Sequence, residues 1–131
     1  TQSGIARGLL DETILAAIHE RLTALLLEQG AVIDAIYFCP HHPEGTVKAY
    51  RTVCTCRKPA PGMLLKAALD FGLDLSSCYL VGDKADDIET IHRVGGKGIL
   101  IRPACDPSLP ADHIAPDLRE AAHWIIQDRR A

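Results

Sequence analysis

The chain has 131 residues, 47% hydrophobic and 24% charged, which suits one globular domain with a real core and is too short for two. With 14 Lys and Arg against 17 Asp and Glu, a formal charge of −3 and 5% aromatics, it lacks the basic footprint and stacking surface of a nucleic-acid binder. The longest apolar runs, Ile14 to Ile18 and Ala35 to Cys39, fall far short of the roughly 20 residues that span a bilayer, and no leader segment opens the chain, so a soluble, cytoplasmic protein without a membrane partner is expected.

In chain order, Thr1 to Gly8 reads like a loop inside a domain, so further sequence upstream is expected. Asp11 is placed to cap a helix whose Ile14, Leu15, Ile18, Leu22, Leu25 and Leu26 fall on one face, with Gly30 as its stop. Ala35-Ile36-Tyr37-Phe38 is a short β-rich run, followed over residues 39 to 58 by a long aperiodic loop of a length that signals function. A second helix starts near Pro61, carries Met63, Leu64, Ala67, Ala68 and Phe71, and stops at Gly72. Cys78-Tyr79-Leu80-Val81 has the continuous apolar character of a buried strand, Asp86 to Val94 reads as a helix stopped by Gly95-Gly96, and Gly98 to Ile101 as another buried strand. Strand, helix, strand predicts a parallel α/β sheet of Rossmann type with helices on both faces. The tail is open: Leu118, Ala121, Ala122 and Ile125 fit a helix, while His123 to Ile126 fits a short strand.

Five cysteines is an odd number, and Cys54 and Cys56 are too close for an easy mutual disulfide, so metal binding explains the set better. Cys39-x-His41, twelve residues, then Cys54-x-Cys56 supplies two chelating pairs of the ligand types that Zn²⁺ takes in a closed tetrahedral structural site. A single C-x-C would more often be unrelated core cysteines; two pairs in one loop reverse that balance. His42 competes with His41 but reads as solvent-facing, Cys78 as a buried small hydrophobe, and Cys105 as a loop residue outside the site. A zinc-based binding module is the rival reading. It would require C-x₂-C or H-x₃₋₅-H spacing and a basic surface, which this acidic α/β chain lacks.

Ligands of open α/β sheets bind outside the carboxyl ends of the strands, where Val81-Gly82-Asp83-Lys84 falls. Asp83 with the following Asp86 and Asp87 offers hard oxygen ligands for Mg²⁺, although Asp86 alone reads as an acid placed at a helix N-terminus. A folded metal loop would hold Arg57 and Lys58 beside the sheet.

These residues resemble the haloacid dehalogenase superfamily of phosphatases, whose later motifs are a strand-end Thr or Ser, a Lys and Gly-Asp-x-x-x-Asp; here Thr1, Lys58 and Gly82-Asp83-x-x-x-Asp87 match them. More narrowly, "QSGIARG", "CPHHPEG", "CTCRKPAPGM" and "VGDKADD" are similar to the heptose bisphosphate phosphatases, cytoplasmic enzymes of lipopolysaccharide or S-layer heptose synthesis, over nearly the whole chain. The histidinol-phosphate phosphatases of the same group have a shorter spacer between the two metal pairs and are the alternative. The resemblance implies a monomeric phosphatase acting on a small sugar phosphate. In it Asp83 ligates Mg²⁺, Lys58 and Thr1 stabilise the transferring phosphoryl group, and Gln2, Ser3, Arg57 and Lys84 join Thr1 and Lys58 in contacting substrate. The family nucleophile, Asp-x-Asp-Gly-Thr on the first strand, is absent, and where the family reads Thr-Asn-Gln-Ser this chain reads Thr-Gln-Ser. Residues 1–131 are therefore expected to be a single phosphatase domain missing its first strand and nucleophile, with Thr1 either the family Thr or standing in place of the Asn.

Overall fold

Asp11 begins the longest helix by accepting the backbone N–H of Ile14 at 2.8 Å, which satisfies one donor left over at the first turn. A computed structural model of the chain describes residues 1–102 and 110–131, which gather into two compact units, Thr1–Arg57 and Lys58–Ala131. Cys105 lies outside the described residues.

In the first unit, helix α1 (Glu12–Glu28) follows that cap and ends before Gly30, whose φ of 76° is the left-handed conformation glycine adopts without strain. The apolar periodicity is present but only Leu15 is buried; Ile14, Ile18, Leu22 and Leu25 stay 42–52% exposed. Residues 35–38 pair with no strand among the described residues, which corrects the β-run expected there: β-branched and aromatic side chains suit a pleated surface, but without a neighbouring ladder the segment forms no strand. Within the long loop, one turn of 3₁₀ helix forms over Lys48–Tyr50. The loop is fastened by Val47 N–H donating to the Ala6 carbonyl at 2.8 Å, beside buried Gly45. A Cβ at Gly45 would come within 2.7 Å of that same Ala6 oxygen, so only glycine allows the two backbones to approach this closely.

The second unit opens with helix α2 (Gly62–Phe71), which runs from Pro61 to Gly72 at φ 64°. Strand β1 (Tyr79–Gly82), helix α3 (Ala85–His92), strand β2 (Lys97–Ile101), strand β3 (His113–Ala115) and helix α4 (Leu118–Asp128) follow. The sheet is parallel throughout in the order β1-β2-β3, with Val81 opposite Ile99 and Leu100 opposite Ile114. Because side chains alternate across a strand, β2 serves both faces. A Cβ at Gly98 would stand 3.0 Å from Ile88, so α3 covers that side, while Ile99 and Ala115 pack with Ala121, Trp124 and Ile125 of α4 on the other. The helices thus cover both faces, as the strand-helix-strand order implied.

Two readings need correction here. The open tail resolves as helix α4, because Asp117 accepts the Glu120 N–H at 2.9 Å and Ala121 and Ile125 then fall on one face toward the sheet. Cys78 is half-buried rather than a core hydrophobe; its thiol donates to the Asp74 carbonyl at 3.3 Å and β1 begins one residue later.

Candidate metal centre and carboxyl-end site

The first site lies within the first unit. The Cys39, Cys54 and Cys56 Sγ atoms and a ring nitrogen of His41 all fall within 4.8 Å of one another. His41 Nδ1 stands 3.3 Å from Cys56 Sγ and 3.6 Å from Cys39 Sγ, and Cys54 Sγ is 3.5 Å from Cys39 Sγ. Tetrahedral Zn²⁺ with Zn–S of about 2.3 Å and Zn–N of about 2.0 Å needs ligand atoms roughly 3.3–3.8 Å apart. The donor set and most spacings fit such an ion, and no further protein ligand is required.

The thiols also show the electrostatic signature of ligands crowded together. Burial opposes ionisation of Cys54, but the Cys56 and Cys39 thiols and the backbone N–H groups of Cys56 and Arg57 outweigh it and bring its pKa down to about 7. Burial, with the Cys39 and Cys54 thiols, pushes Cys56 up to about 12. Ionising Cys54 thus opposes ionising Cys56, and a bound cation would favour the thiolate of both.

Backbone hydrogen bonds join the segments that carry this cluster. Gln2 N–H donates to the Cys39 carbonyl at 2.7 Å, and His42 N–H to the Tyr50 carbonyl at 3.1 Å. Arg57 leans back over the loop, its Nη1 3.5 Å from the His41 carbonyl oxygen. The expected substrate segment is therefore tied to a residue of the Cys/His cluster through Gln2, with Thr1 and Gln2 exposed and Ser3 half-buried.

The second site lies within the second unit, where β1 ends at Gly82. Asp83 and Lys84 follow it directly and are exposed, as is Asp86. Asp87 is different: it is buried at 4% exposure, its Oδ2 accepts the Lys84 backbone N–H at 3.1 Å, and its Oδ1 is ion-paired with Lys58 Nζ. Gly82 makes this possible, since a Cβ there would collide with the Asp87 carboxylate. One carboxylate thereby caps α3 and fixes the ammonium of Lys58, which is itself three-quarters covered. The sequence reading grouped Asp87 with Asp83 as a metal-type carboxylate and missed it as the group that pairs with Lys58. The Lys84-x-x-Asp87 spacing after Gly82 signals the capping role of Asp87, but nothing local signals its pairing with Lys58.

The comparisons with known proteins agree with this architecture. A family model described as HAD-hydrolase-like matches residues 55–121. The chain belongs to this family of HAD-like hydrolases. Among curated proteins, it is 38% identical to D-glycero-beta-D-manno-heptose-1,7-bisphosphate 7-phosphatase of Escherichia coli K12 over 95% of this chain and 62% of that protein. It is 42% identical to the Yersinia pestis protein of the same name over 95% of this chain and 63% of that one. The chain thus spans somewhat less than two thirds of the curated relatives it matches. Among solved structures, it resembles D,D-heptose 1,7-bisphosphate phosphatase from B. bronchiseptica complexed with magnesium and phosphate, with TM-score 0.79 and 32% identity over 97% of this chain and 71% of that one. It also resembles a HAD-like phosphatase from Mesorhizobium loti, with TM-score 0.80 and 33% identity over 95% of this chain and 61% of that one. No helix among the described residues is long and apolar enough to cross a membrane.

Proposed function

We propose that the protein is a Mg²⁺-dependent phosphatase that removes the 7-phosphate of D-glycero-D-manno-heptose 1,7-bisphosphate, in heptose precursor synthesis for lipopolysaccharide or S-layer glycans. The observation that carries this reading is the carboxyl-end arrangement, in which buried Asp87 of α3 is ion-paired with Lys58 and exposed Asp83 follows directly on β1, in a chain 38–42% identical to relatives of that name. Lys58 then supplies positive charge to the phosphoryl group in transfer, a role that asks of the protein mainly position and electrostatics. Asp83 would hold Mg²⁺, which neutralises phosphate charge when bound.

In the same reading Thr1 donates its hydroxyl to the transferring group, and Gln2, Ser3, Arg57 and Lys84 contact substrate. Cys39, His41, Cys54 and Cys56 hold a structural Zn²⁺ that stiffens the loop and so fixes Arg57. The chemistry is attack of an aspartate carboxylate on phosphorus followed by hydrolysis of the aspartyl phosphate. No Asp-x-Asp-Gly-Thr occurs in residues 1–131, so the attacking carboxylate is assigned to none of them. Unpaired thiols at the metal cluster suit a reducing compartment such as the cytoplasm.

The test is phosphate release, by the chain joined to an upstream segment carrying Asp-x-Asp-Gly-Thr, from heptose 1,7-bisphosphate, from histidinol phosphate and from an aryl phosphate, with ³¹P NMR identifying the phosphate removed. Mg²⁺-dependent loss of the 7-phosphate, reduced by Asp83→Asn, supports the reading. Turnover of histidinol phosphate at an equal or greater rate overturns it in favour of the histidinol-phosphate alternative. Arg57→Ala should weaken the sugar bisphosphate more than the aryl phosphate, because its paired hydrogen bonds to substrate oxygens are lost.

A further inference from the structure

At the carboxyl end of β2, the middle strand of the sheet, one buried donor has nothing to bond. Arg102 follows β2 directly, and its backbone N–H donates to the Ala115 carbonyl at 2.9 Å, so the ladder with β3 still holds it. Its Nε is buried without a hydrogen-bond partner, the one side-chain nitrogen or oxygen in that condition among the described residues. Nε alone is closed off in this way, and the two terminal amino groups of the guanidinium remain open. Among the described residues no carboxylate is ion-paired with Arg102. Asp87 is taken by Lys58, and Asp117, two residues past Ala115, accepts the Glu120 N–H. An arginine only donates and stays charged, so a half-buried guanidinium without a counter-charge raises the free energy of the folded chain. A native chain retains such a cost where function requires it.

The strand register brings this cation to the carboxyl-end site. Side chains alternate along β2: a Cβ at Gly98 would meet Ile88 of α3, so Leu100 and Arg102 fall on the α3 face as well. Leu100 is opposite Gly82 of β1, against which the Asp87 carboxylate packs. Arg102 therefore stands one strand over, about 4.8 Å, and two residues further along, about 6–7 Å, from the point where Asp87 holds Lys58. All of these residues belong to the second unit. One end of one sheet thus carries two cations, and only the lysine has a counter-charge. A guanidinium held by its buried Nε presents its amino groups in a fixed plane, and a charge in partly desolvated surroundings attracts an anion more strongly than one in water.

We propose that Arg102 is a phosphate-binding residue of the carboxyl-end site, its two amino groups donating together to two oxygens of a phosphate ester. This rests on the reading of that end of the sheet as a phosphatase site, and it gives a role to a residue that the reading leaves without one. The phosphate supplies the counter-charge that the folded chain does not. Lys58, already paired with Asp87, attracts it as a point charge, whereas the planar guanidinium sets its orientation.

Three measurements test it, two of them independent of turnover. In ¹H–¹⁵N spectra of the arginine side chains of the 131-residue protein with Mg²⁺, the Arg102 Nε–H signal, identified by its loss in Arg102→Lys, should exchange slowly with water and should shift as inorganic phosphate is added. A signal that ignores phosphate overturns the site whether or not the protein is a phosphatase. In thermal melting, Arg102→Met removes a buried donor that bonds nothing, so the variant should be at least as stable as the unaltered protein in phosphate-free buffer and should gain clearly less from added phosphate. A lower melting temperature with an unchanged gain from phosphate makes Arg102 structural and overturns the proposal. In the chain joined to an upstream segment carrying Asp-x-Asp-Gly-Thr, Arg102→Met should raise KM for heptose 1,7-bisphosphate on the order of tenfold or more, and Arg102→Lys, which keeps the charge, should lose less. An unchanged KM in Arg102→Met counts against the site. A joined protein that turns over no sugar phosphate, while phosphate still moves the Arg102 signal, defeats the proposed function and upholds the site.

Discussion

The two units are ordered by different forces. The second buries Ile88, Ile91, Ile99, Leu100, Ala115 and Ala121 between a parallel sheet and helices on both its faces. The first buries only Ile5, Ala6, Leu15 and Cys39 among its hydrophobic side chains, and leaves the rest of the α1 stripe about half exposed. Each fully buried aliphatic side chain contributes about 1.5–3 kcal/mol, so the second unit has a continuous source of stability that the first lacks. What the first unit has instead is a cluster of metal-type ligands and backbone hydrogen bonds fastening residues 39–57 to the opening turn. The lesson is that a loop without a core of its own depends on chemistry that a sheet does not need.

The sharpest way to break this contrast is to remove the metal proposed for the Cys/His cluster. Structural zinc contributes about 10–16 kcal/mol apparent in small peptides, and ligand binding to a loop with so little apolar burial should dominate its order. A strong chelator, or Cys39→Ser, should abolish amide protection over residues 39–57 in hydrogen exchange while β1 and β2 stay protected; uniform loss across both units would refute the division. The reverse experiment is Ile99→Ala, which opens a cavity between the sheet and α4 and should cost about 2–5 kcal/mol in denaturant unfolding of the second unit. Metal content should stay at that of the unaltered protein. A smaller effect is expected for Asp117→Ala, about 1 kcal/mol, because it removes the N-cap of α4 and nothing else. Thermal melting followed by Trp124 fluorescence would register it.

The smallest effect concerns acid. Burial raises the Asp112 carboxyl, but hydrogen bonds from His92 at 2.8 Å and from the Gly98 N–H at 2.7 Å outweigh it and hold the folded pKa below the ordinary value. A depressed carboxyl contributes stability that is complete above the unfolded value, about 4, and that disappears as pH falls through the lower folded one. Melting temperature should therefore fall more steeply below about pH 4 in the unaltered protein than in Asp112→Asn. Parallel curves would show that the contact contributes nothing to folding.

How legible each part was follows from the range of the interactions involved. The metal pairs could be seen because a C-x-H and a C-x-C chelate each bring their ligands together locally, and the structure adds only that the two pairs meet. The parallel sheet and its covering helices were readable from two apolar runs and the helix between them. Strand β3 escaped notice because His113–Ala115 is too short to show alternation and is defined only by its pairing with β2. The Lys58–Asp87 pair joins residues 29 apart, and no local pattern announces such a partner. Residues 35–38 and the α1 stripe illustrate the opposite error. Propensity and periodicity describe what a segment is suited to pack against, and neither says whether a neighbour is there.

The close approach of Gly45 to Ala6 also governs how this loop tolerates changes in length. From His42 to Tyr50 every turn is pinned, by Gly45 N–H on the His42 carbonyl, Val47 N–H on Ala6 and His42 N–H on Tyr50. Arg51, Thr52 and Val53 are exposed, with Val53 at 84%, and the Arg51 and Thr52 N–H groups bond only locally, to the Lys48 and Tyr50 carbonyls. Insertions and deletions separating related proteins should therefore accumulate at 51–53. A short Gly-Ser insertion there should leave the proposed metal binding intact, whereas the same insertion at 43–46 should drive Gly45 off Ala6 and weaken it.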